Sequence, residues 1–319
     1  MIVWAKSNGN WATATLWAYW NETTQQIEDY GQTPQIDDIV FSNSYQITIS
    51  NNSNIKVAKL TNEINPYTNL GGGFFIVQTN CVITADVYCE TGSLLYFTNT
   101  GGQFTLVGNV ETSYSNTNSQ VIYLNTYTVL IQITIIGDIT INNGLLGGGV
   151  SSFQFCTAMN ITGNIYCDGN AFTNQCPRIT TINGNISINN GSFFNYSGNN
   201  TNNYVNGNIT YNVPISYIGA RATNKITING NLYYSVKNPF LNVADVVFEN
   251  DNWEWRYIGE GDPEFIILPY PSEPNVFPEE TDVRKNVPYA YGQMVGKLEP
   301  VTVDSTNTIN VYPYKRRCN

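Results

Sequence analysis

The chain has 319 residues, a formal net charge of −10 and only 12% charged residues, and it contains no histidine. The acidic balance and the absence of a large basic patch argue against nucleic acid as a partner, because phosphate contacts require lysine and arginine. The lack of histidine excludes a Cys/His zinc site, and no stretch has the ~18 apolar residues that a membrane span requires. We therefore expect no cofactor, and neither nucleic acid nor a membrane as a partner.

Residues 1–34 are predicted to form an aromatic N-terminal cap. The tryptophans of the chain lie only near the two boundaries of its central part, at Trp4, Trp11, Trp17, Trp20, Trp253 and Trp255. Large aromatic side chains at such boundaries are suited to covering the open apolar ends of a repeat array. The functional alternative is a carbohydrate platform, since exposed tryptophan faces stack on sugars.

Residues 35–250 show the alternation that is typical of short β-strands. Apolar residues alternate with polar ones in short runs, such as 45–50 and 129–136, and asparagine, serine and glycine separate the runs. The glycine runs at 71–73 and 147–149 are interpreted as turns. Neither is followed by the Lys-Ser/Thr step and the helix of a phosphate-binding loop.

One phrase recurs within this region and predicts its architecture. The first clear repeat is Asn160-Ile-Thr-Gly-Asn-Ile, with its central glycine at Gly163. The equivalent glycines of the later repeats are Gly184, Gly207 and Gly230, and less similar repeats upstream are centred on Gly108 and Gly137. A period in the low twenties, with β-branched residues on both sides of a Gly-Asn step, indicates one coil of a parallel β-solenoid. We therefore predict an all-β protein whose body, residues 35–250, is a parallel β-helix.

The residue after each repeat glycine is expected to form a stack along the solenoid. When coils lie in register, equivalent asparagines can lie one above another and form hydrogen bonds along the ladder. The predicted members are Asn109, Asn164, Asn185, Asn208 and Asn231. Asp138 occupies the same position in its copy of the phrase and is expected to replace asparagine in the stack.

The cysteines show no metal-binding or redox spacing. They lie at Cys81, Cys89, Cys156, Cys167, Cys176 and Cys318, without any Cys-x-x-Cys pair. We interpret them as buried reduced thiols that fill gaps in the solenoid. A disulfide between Cys167 and Cys176 is the alternative.

The composition changes after residue 250. Residues 251–280 are rich in proline, which cannot join a sheet ladder, and are predicted to form an extended linker. Residues 281–319 are predicted to form a small β module that docks on other chains, because a unit this small is marginal alone. The candidate docking residues are Val283, Arg284, Val287, Tyr289, Tyr291, Met294 and Leu298. In the alternative, this segment folds back and caps its own solenoid.

The segment 280–298 resembles a short C-terminal motif of virion proteins from tailed bacteriophages. It reads Glu280-Thr-Asp-Val-Arg-Lys-Asn-Val-Pro-Tyr-Ala-Tyr-Gly-Gln-Met-Val-Gly-Lys-Leu, with Asn286 where the motif has glycine. The Trp-rich opening and residues 33–41 are similar to the start of phage fibre and decoration proteins with β-helical bodies. The resemblance implies a non-enzymatic head or tail fibre or decoration subunit that binds other virion proteins.

The sequence also leads to an expected location and an expected assembly. The first residues lack the regions of a secretory signal, so we expect assembly in the host cytoplasm and residence in the virion. A surface with few charges and many tyrosine, asparagine and threonine side chains is suited to pairing with copies of itself, and we expect a homo-oligomer, with a trimer favoured. A glycan of the host surface is a further candidate partner.

An enzyme is the main alternative, because β-helices also carry lyases, glycosidases and depolymerases. A retaining glycosidase needs two carboxyl groups about 5 Å apart. Asp138 and Asp168 lie at different phases of the repeat, and no histidine can act as a base. We therefore predict that the protein is not an enzyme, with a carbohydrate-active tailspike or a glycan-binding adhesin as the alternatives.

Overall fold

Alternating apolar and polar residues form β-strands throughout the part of the chain that the structure describes. The computed structural model describes residues 1–98, 101–112, 120–124, 130–142, 145–149, 156–168, 172–173, 177–190, 194–195, 201–211, 224–234, 245–248, 255–257, 288–289 and 294–295. Within these residues the helical content is one 3-10 turn, Ala14–Leu16. This result confirms the all-β prediction.

The strands occur in the following order along the chain. They are β1 (Ile2–Ala5), β2 (Gly9–Asn10), β3 (Trp17–Asn21), β4 (Gln26–Asp29), β5 (Ile39–Phe41), β6 (Gln46–Ile49), β7 (Asn54–Thr61), β8 (Phe74–Val77), β9 (Cys81–Cys89), β10 (Ser93–Phe97), β11 (Gly101–Val107), β12 (Val110–Thr112), β13 (Gln120–Leu124), β14 (Leu130–Ile136), β15 (Ile139–Ile141), β16 (Leu145–Gly149), β17 (Cys156–Thr162), β18 (Ile165–Asp168), β19 (Phe172–Thr173), β20 (Pro177–Asn183), β21 (Ile186–Asn190), β22 (Phe194–Asn195), β23 (Thr201–Asn206), β24 (Ile209–Tyr211), β25 (Asn224–Ile228), β26 (Leu232–Tyr234), β27 (Asp245–Phe248), β28 (Trp255–Tyr257), β29 (Pro288–Tyr289) and β30 (Met294–Val295).

Strands β1 to β28 form two sheets, and both contribute side chains to one core. The short sheet contains β2, β6, β8, β10, β13, β16, β19 and β22, and the long sheet contains the other strands up to β28. Within the long sheet, β14, β17, β20, β23 and β25 pair in parallel, each with the next coil. Such repeated parallel stacking is a β-solenoid, which confirms the parallel β-helix prediction.

The register places apolar side chains in columns inside the solenoid. One column consists of Ile135, Ile161, Ile182, Val205 and Ile228, each paired with the next. All five side chains are fully buried, and each buried aliphatic side chain of this size contributes about 1.5–3 kcal/mol. Residues of the short sheet, among them Phe75, belong to the same core cluster.

Residues 1–34 extend both sheets. Strand β1 pairs in parallel with β5 and antiparallel with β3, while β2 pairs in parallel with β6. Between the sheets, the Trp11 ring packs 5.0 Å from the Trp17 ring and 6.1 Å from the Phe75 ring, measured between centroids. The role of this segment as a cap stays a prediction.

The two glycine runs have different structures. Gly72 and Gly73 have φ angles of 77° and 78° and lie between β7 and β8, so the turn interpretation is confirmed there. Residues 147–149 instead belong to β16, which pairs in parallel with β13. The turn interpretation is wrong for this second run, because hydrogen bonds to the neighbouring coil hold the glycines in a strand.

The C-terminal boundaries 250/251 and 280/281 stay predictions. Strand β28, within the segment assigned to the linker, pairs in parallel with β26. Strands β29 and β30, within the segment assigned to the docking module, form an antiparallel pair.

Candidate functional site

The repeat glycines form a close-packed corner between strands of the long sheet. Gly137, Gly163 and Gly184 have φ angles of 151°, 150° and 158°, a region that favours glycine. A Cβ atom at Gly163 would lie 2.5 Å from the carbonyl carbon of Gly137 on the coil below. The recurrence of glycine in the sequence therefore has two causes, the backbone conformation and the close approach of the adjacent coil.

The predicted asparagine stack exists and follows the glycine corner. The backbone N–H of Asn185 donates to Oδ1 of Asn164 at 3.1 Å, and the N–H of Asn208 donates to Oδ1 of Asn185 at 2.9 Å. The same bond links Asn231 to Asn208 at 2.9 Å. Each side chain thus accepts a hydrogen bond from the backbone N–H of the equivalent residue on the next coil.

Asp138 takes the place of asparagine in this stack, as predicted. Its N–H donates to Oδ1 of Asn109 at 3.0 Å, and its Oδ1 accepts the N–H of Asn164 at 2.7 Å. The stack begins one coil earlier than expected, at Asp86, whose Oδ1 accepts the N–H of Asn109 at 2.8 Å. Asp86 follows Ala85 rather than glycine, and a search for any small residue before Asn or Asp would have found it.

The structure does not place the two candidate carboxylates in one stack. Asp138 lies at the corner between β14 and β15, whereas Asp168 ends β18 and pairs with Asn190 across a register shift. Among the described residues, no group of three or more Asp, Glu and Cys side chains could hold a metal ion. The chemistry that the geometry assigns to Asp138 is therefore acceptance of hydrogen bonds within the stack.

The outer surface of β14, β17, β20 and β23 forms an uncharged region, which we call the neutral face. Its outward residues are Gln132, Thr134, Ile136, Ala158, Asn160, Thr162, Ile179, Thr181, Asn183, Asn202, Tyr204 and Asn206. Three large apolar side chains on it are exposed, Ile136 at 44%, Tyr204 at 39% and Ile179 at 38%. The outward residues named above carry no formal charge, and the exposed Arg178 at the start of β20 lies at the edge of the face.

The N-terminal tryptophan side chains expose little area on which a sugar could stack. Trp4, Trp11 and Trp17 are buried, so the carbohydrate-platform alternative is wrong for these three. Trp20 is half-buried, and its ring stacks on the Tyr67 ring with centroids 5.2 Å apart. Burial raises the pKa of Tyr67, and the nearby carboxylate of Glu22, which accepts its hydroxyl hydrogen bond, raises that pKa further.

A second aromatic feature lies on the outer surface of the short sheet. The Phe74 and Tyr96 rings have centroids 4.9 Å apart, and the Tyr96 and Tyr123 rings are stacked at the same distance. All three side chains are half-buried. No local sequence pattern indicates this stack, because the three residues lie on different coils whose spacing is irregular.

The corner stack and the parallel register together define the fold as a β-helix. We compared the chain and its fold with known proteins. No protein-family model, curated protein or solved structure matches this chain. Within the part of the chain that the structure describes, no helix is long and apolar enough to span a bilayer. The surfaces and contacts of the solenoid are therefore the structural features that bear on function.

The candidate docking residues lie mostly outside the described residues. These are Val283, Arg284, Val287, Tyr291 and Leu298. Tyr289 and Met294 belong to β29 and β30 and pair with each other in the antiparallel register. Their role in docking stays a prediction.

The described cysteine side chains are buried. Cys81 and Cys89 are free thiols, and Cys167 is fully buried. This burial agrees with the interpretation of these residues as core-filling groups. Cys176 and Cys318 lie outside the described residues, and so does the alternative Cys167–Cys176 disulfide.

Proposed function

We propose that this protein is a non-enzymatic structural subunit of a tailed-phage particle, a head or tail fibre or decoration protein that assembles with copies of itself. The observation that carries the proposal is the neutral face of the β-helix. The resemblance of residues 280–298 to a virion motif supports the phage context. In this proposal the protein resides in the virion after assembly in the host cytoplasm.

Charge favours the neutral face as the contact between copies. Each copy carries a net charge of −10, so two copies repel each other wherever their acidic surfaces approach. The neutral face avoids this repulsion, and Ile136, Ile179 and Tyr204 supply apolar area at its surface. Aromatic and apolar side chains at the centre of a contact, surrounded by uncharged polar groups, are typical of protein interfaces.

The position of Asp138 supports a structural rather than a catalytic role. Its carboxylate accepts the backbone N–H of Asn164 in the corner stack, the same role that Asn164 has towards Asn185. Catalysis by a pair of carboxylates requires one carboxylate on each side of a single scissile bond.

We propose that residues 281–319 then join the assembled subunit to other virion proteins.

Light scattering on the purified protein tests self-assembly through the neutral face. We expect the wild-type protein to have the mass of three chains at micromolar concentration. Thr181→Glu places a carboxylate at the centre of the neutral face, beside Asn160 and Tyr204, and should convert the trimer to monomers that keep the circular dichroism of the wild-type protein. Thr48→Glu is the matched control, because Thr48 is a half-buried threonine on the outward side of the short sheet.

A monomeric wild-type protein would contradict the proposal, and so would a Thr181→Glu variant that remains a trimer. Mass spectrometry of purified particles tests the phage context separately. We expect the intact chain among the virion proteins in multiple copies. Reducing-end release from a host polysaccharide, lost on Asp138→Asn or Asp168→Asn substitution, would instead place the protein among the carbohydrate-active enzymes.

A further inference from the structure

The long sheet ends at β4, which has one free backbone edge. Among the residues that the structure describes, β4 pairs with a single strand, β3. Strand β5, the next strand in the chain, already has β1 on one side and β7 on the other. Three of the four β4 residues, Gln26, Ile27 and Asp29, are exposed. An edge of this kind is a template for the addition of a further strand.

The register shows which backbone groups point to this edge. The N–H of Tyr30, just after β4, donates to the carbonyl oxygen of Trp17 at 2.8 Å. Residues of an antiparallel pair alternate between those that exchange hydrogen bonds with the partner strand and those that do not. Glu28 therefore forms hydrogen bonds to β3, whereas Ile27 and Asp29 do not. The backbone N–H and C=O groups of Ile27 and Asp29 point away from β3, towards solvent.

The outer surface of the sheet beside this edge is apolar. Ile27 lies directly opposite Trp20 of β3 and therefore on the same side of the sheet. Trp20 packs on that side against the cluster of Trp4, Ala18 and Phe41. Ile27 extends this apolar surface to the edge, where it is 51% exposed. A strand added to β4 would thus cover an apolar side chain in addition to pairing with the backbone.

Carboxylates dominate the charge of β4. Asp29 forms an ion pair with Lys6, yet its side chain stays 75% exposed. Glu28 accepts hydrogen bonds from the hydroxyls of Tyr19 and Thr24 at 2.9 and 2.7 Å, which hold its carboxylate at the edge. Pairing with the β4 strand of a second copy would bring the carboxylates of both copies together, which is unfavourable. The charge therefore favours a strand that carries basic residues.

We propose that β4 is a docking edge for an extended basic segment of a partner protein, which joins the long sheet as an antiparallel strand. The antiparallel arrangement is the more stable one per residue. It places one basic residue of the partner opposite Asp29, the next opposite Glu28 and an apolar residue opposite Ile27. Main-chain hydrogen bonds to Ile27 and Asp29 supply affinity, and the three side-chain positions supply specificity. This edge is separate from the neutral face, so the inference does not depend on self-assembly.

Fluorescence anisotropy with the full-length protein and a labelled synthetic peptide tests the proposal. The peptide has the core Lys-Lys-Val-Thr, flanked on each side by Thr-Val-Thr, which favours an extended conformation. We expect it to bind with a submillimolar dissociation constant and to slow hydrogen exchange at the Ile27 and Asp29 amides. A peptide with Glu-Glu in place of Lys-Lys should bind at least tenfold more weakly.

Variants of β4 separate the backbone contribution from the charge contribution. Ile27→Pro removes the outward N–H, and an edge strand accepts proline where that N–H faces solvent. It should weaken peptide binding at least tenfold and keep the circular dichroism of the wild-type protein. Ile27→Val, the matched control, keeps the N–H and should change affinity by less than threefold.

The double substitution Glu28→Gln and Asp29→Asn should remove the preference for the Lys-Lys peptide over the Glu-Glu peptide. Asp37→Asn is its control, because Asp37 is an exposed carboxylate outside β4, and it should leave binding unchanged. The proposal is overturned if the Lys-Lys peptide binds no more tightly than the Glu-Glu peptide, or if Ile27→Pro binds as tightly as wild type. It is also overturned if Ile27→Pro lowers the mass in light scattering without peptide, since the edge would then pair with a second copy.

Discussion

At the scale of single residues, the glycines of the corner and the buried thiols have the strongest constraints. Gly163 approaches the backbone of Gly137 so closely that no side chain fits between the coils. Cys89 is fully buried, and its thiol donates to the backbone carbonyl of Gln120 at 3.3 Å. Substitution of Gly163 and ionisation of the Cys89 thiol should therefore both change the free energy of unfolding by a measurable amount.

Gly163→Ala is expected to destabilise the protein by about 2–4 kcal/mol, because its Cβ meets rigid backbone and the φ angle is unfavourable for alanine. Gly92→Ala is the matched control. Gly92 also has a positive φ, 61°, but a Cβ there has no atom within 4 Å, so a loss of only about 1 kcal/mol is expected. Urea denaturation of both variants measures the difference, and equal losses would show that the coil contact is unimportant.

The ionisation of Cys89 should make stability depend on alkaline pH. Burial raises the pKa of its thiol from 9.0 to about 12. Between these values the unfolded chain loses the proton and the native state keeps it, so the free energy of unfolding falls as pH rises, by up to about 1.4 kcal/mol per pH unit. The contribution is fully present below pH 9.

Urea midpoints measured from pH 8 to strongly alkaline pH test this expectation. Cys89→Ala should have a shallower decline than wild type, although its stability at pH 8 is lower because the sulfur atom is missing from the core. Tyr19, Tyr30, Tyr67 and Tyr96 also have raised pKa values, so part of the decline remains in the variant. An identical slope in the two proteins would exclude Cys89 as a contributor.

At the scale of elements, the corner stack connects strands that are distant in sequence. The side-chain oxygen of each Asn or Asp provides the acceptor that the next coil's backbone amide lacks. A buried or half-buried amide without an acceptor is costly, so the stack holds adjacent coils in one register. Only the oxygen is essential for this bond, which explains why Asp86 and Asp138 fit the same position.

Asn185→Ala is expected to cost about 1–2 kcal/mol, because the N–H of Asn208 loses its acceptor. Asn185→Asp keeps an oxygen that can accept the Asn208 N–H, as Asp138 accepts the N–H of Asn164, and should stay within about 0.5 kcal/mol of wild type at neutral pH. Thermal and urea denaturation of the two variants provide the comparison. If aspartate were as damaging as alanine, the amide nitrogen rather than the oxygen would be the important group.

At the scale of the whole molecule, the solenoid and the C-terminal segment have different expected roles. The parallel ladder runs from β5 to β27 and β28, with its core between the two sheets. A body of this kind is stable through contacts between neighbouring coils. The C-terminal segment has no such repeat, and its apolar residues, such as Val283 and Leu298, favour docking on another surface.

A truncation that ends at Glu280 distinguishes docking from self-capping. If residues 281–319 attach the subunit to its neighbours, the truncated protein should be soluble, should keep the circular dichroism of a β protein and the melting temperature of the full chain, and should fail to enter particles. If the segment covers its own solenoid, the truncated protein should aggregate or melt at a much lower temperature, because the end of an apolar core becomes exposed.

The sequence by itself determined the coil and its corner. Period-two alternation decides which side chains enter a core, and a glycine recurring before Asn or Asp marks a tight corner wherever it occurs. These signals are local, so the parallel β-helix, the asparagine stack and the substitution by Asp138 could all be predicted. The docking role of residues such as Val283 rests on resemblance and composition and stays a prediction.

Only the tertiary structure decided which coil lies beside which. Residues 147–149 form part of a strand because they pair with β13, although a run of glycines by itself favours a turn. The pairing of β10 with β8 and with β13 brought the rings of Phe74, Tyr96 and Tyr123 together. These contacts join residues more than twenty positions apart over coils of unequal length, so no local pattern encodes them, and the register of the folded solenoid alone brings them together.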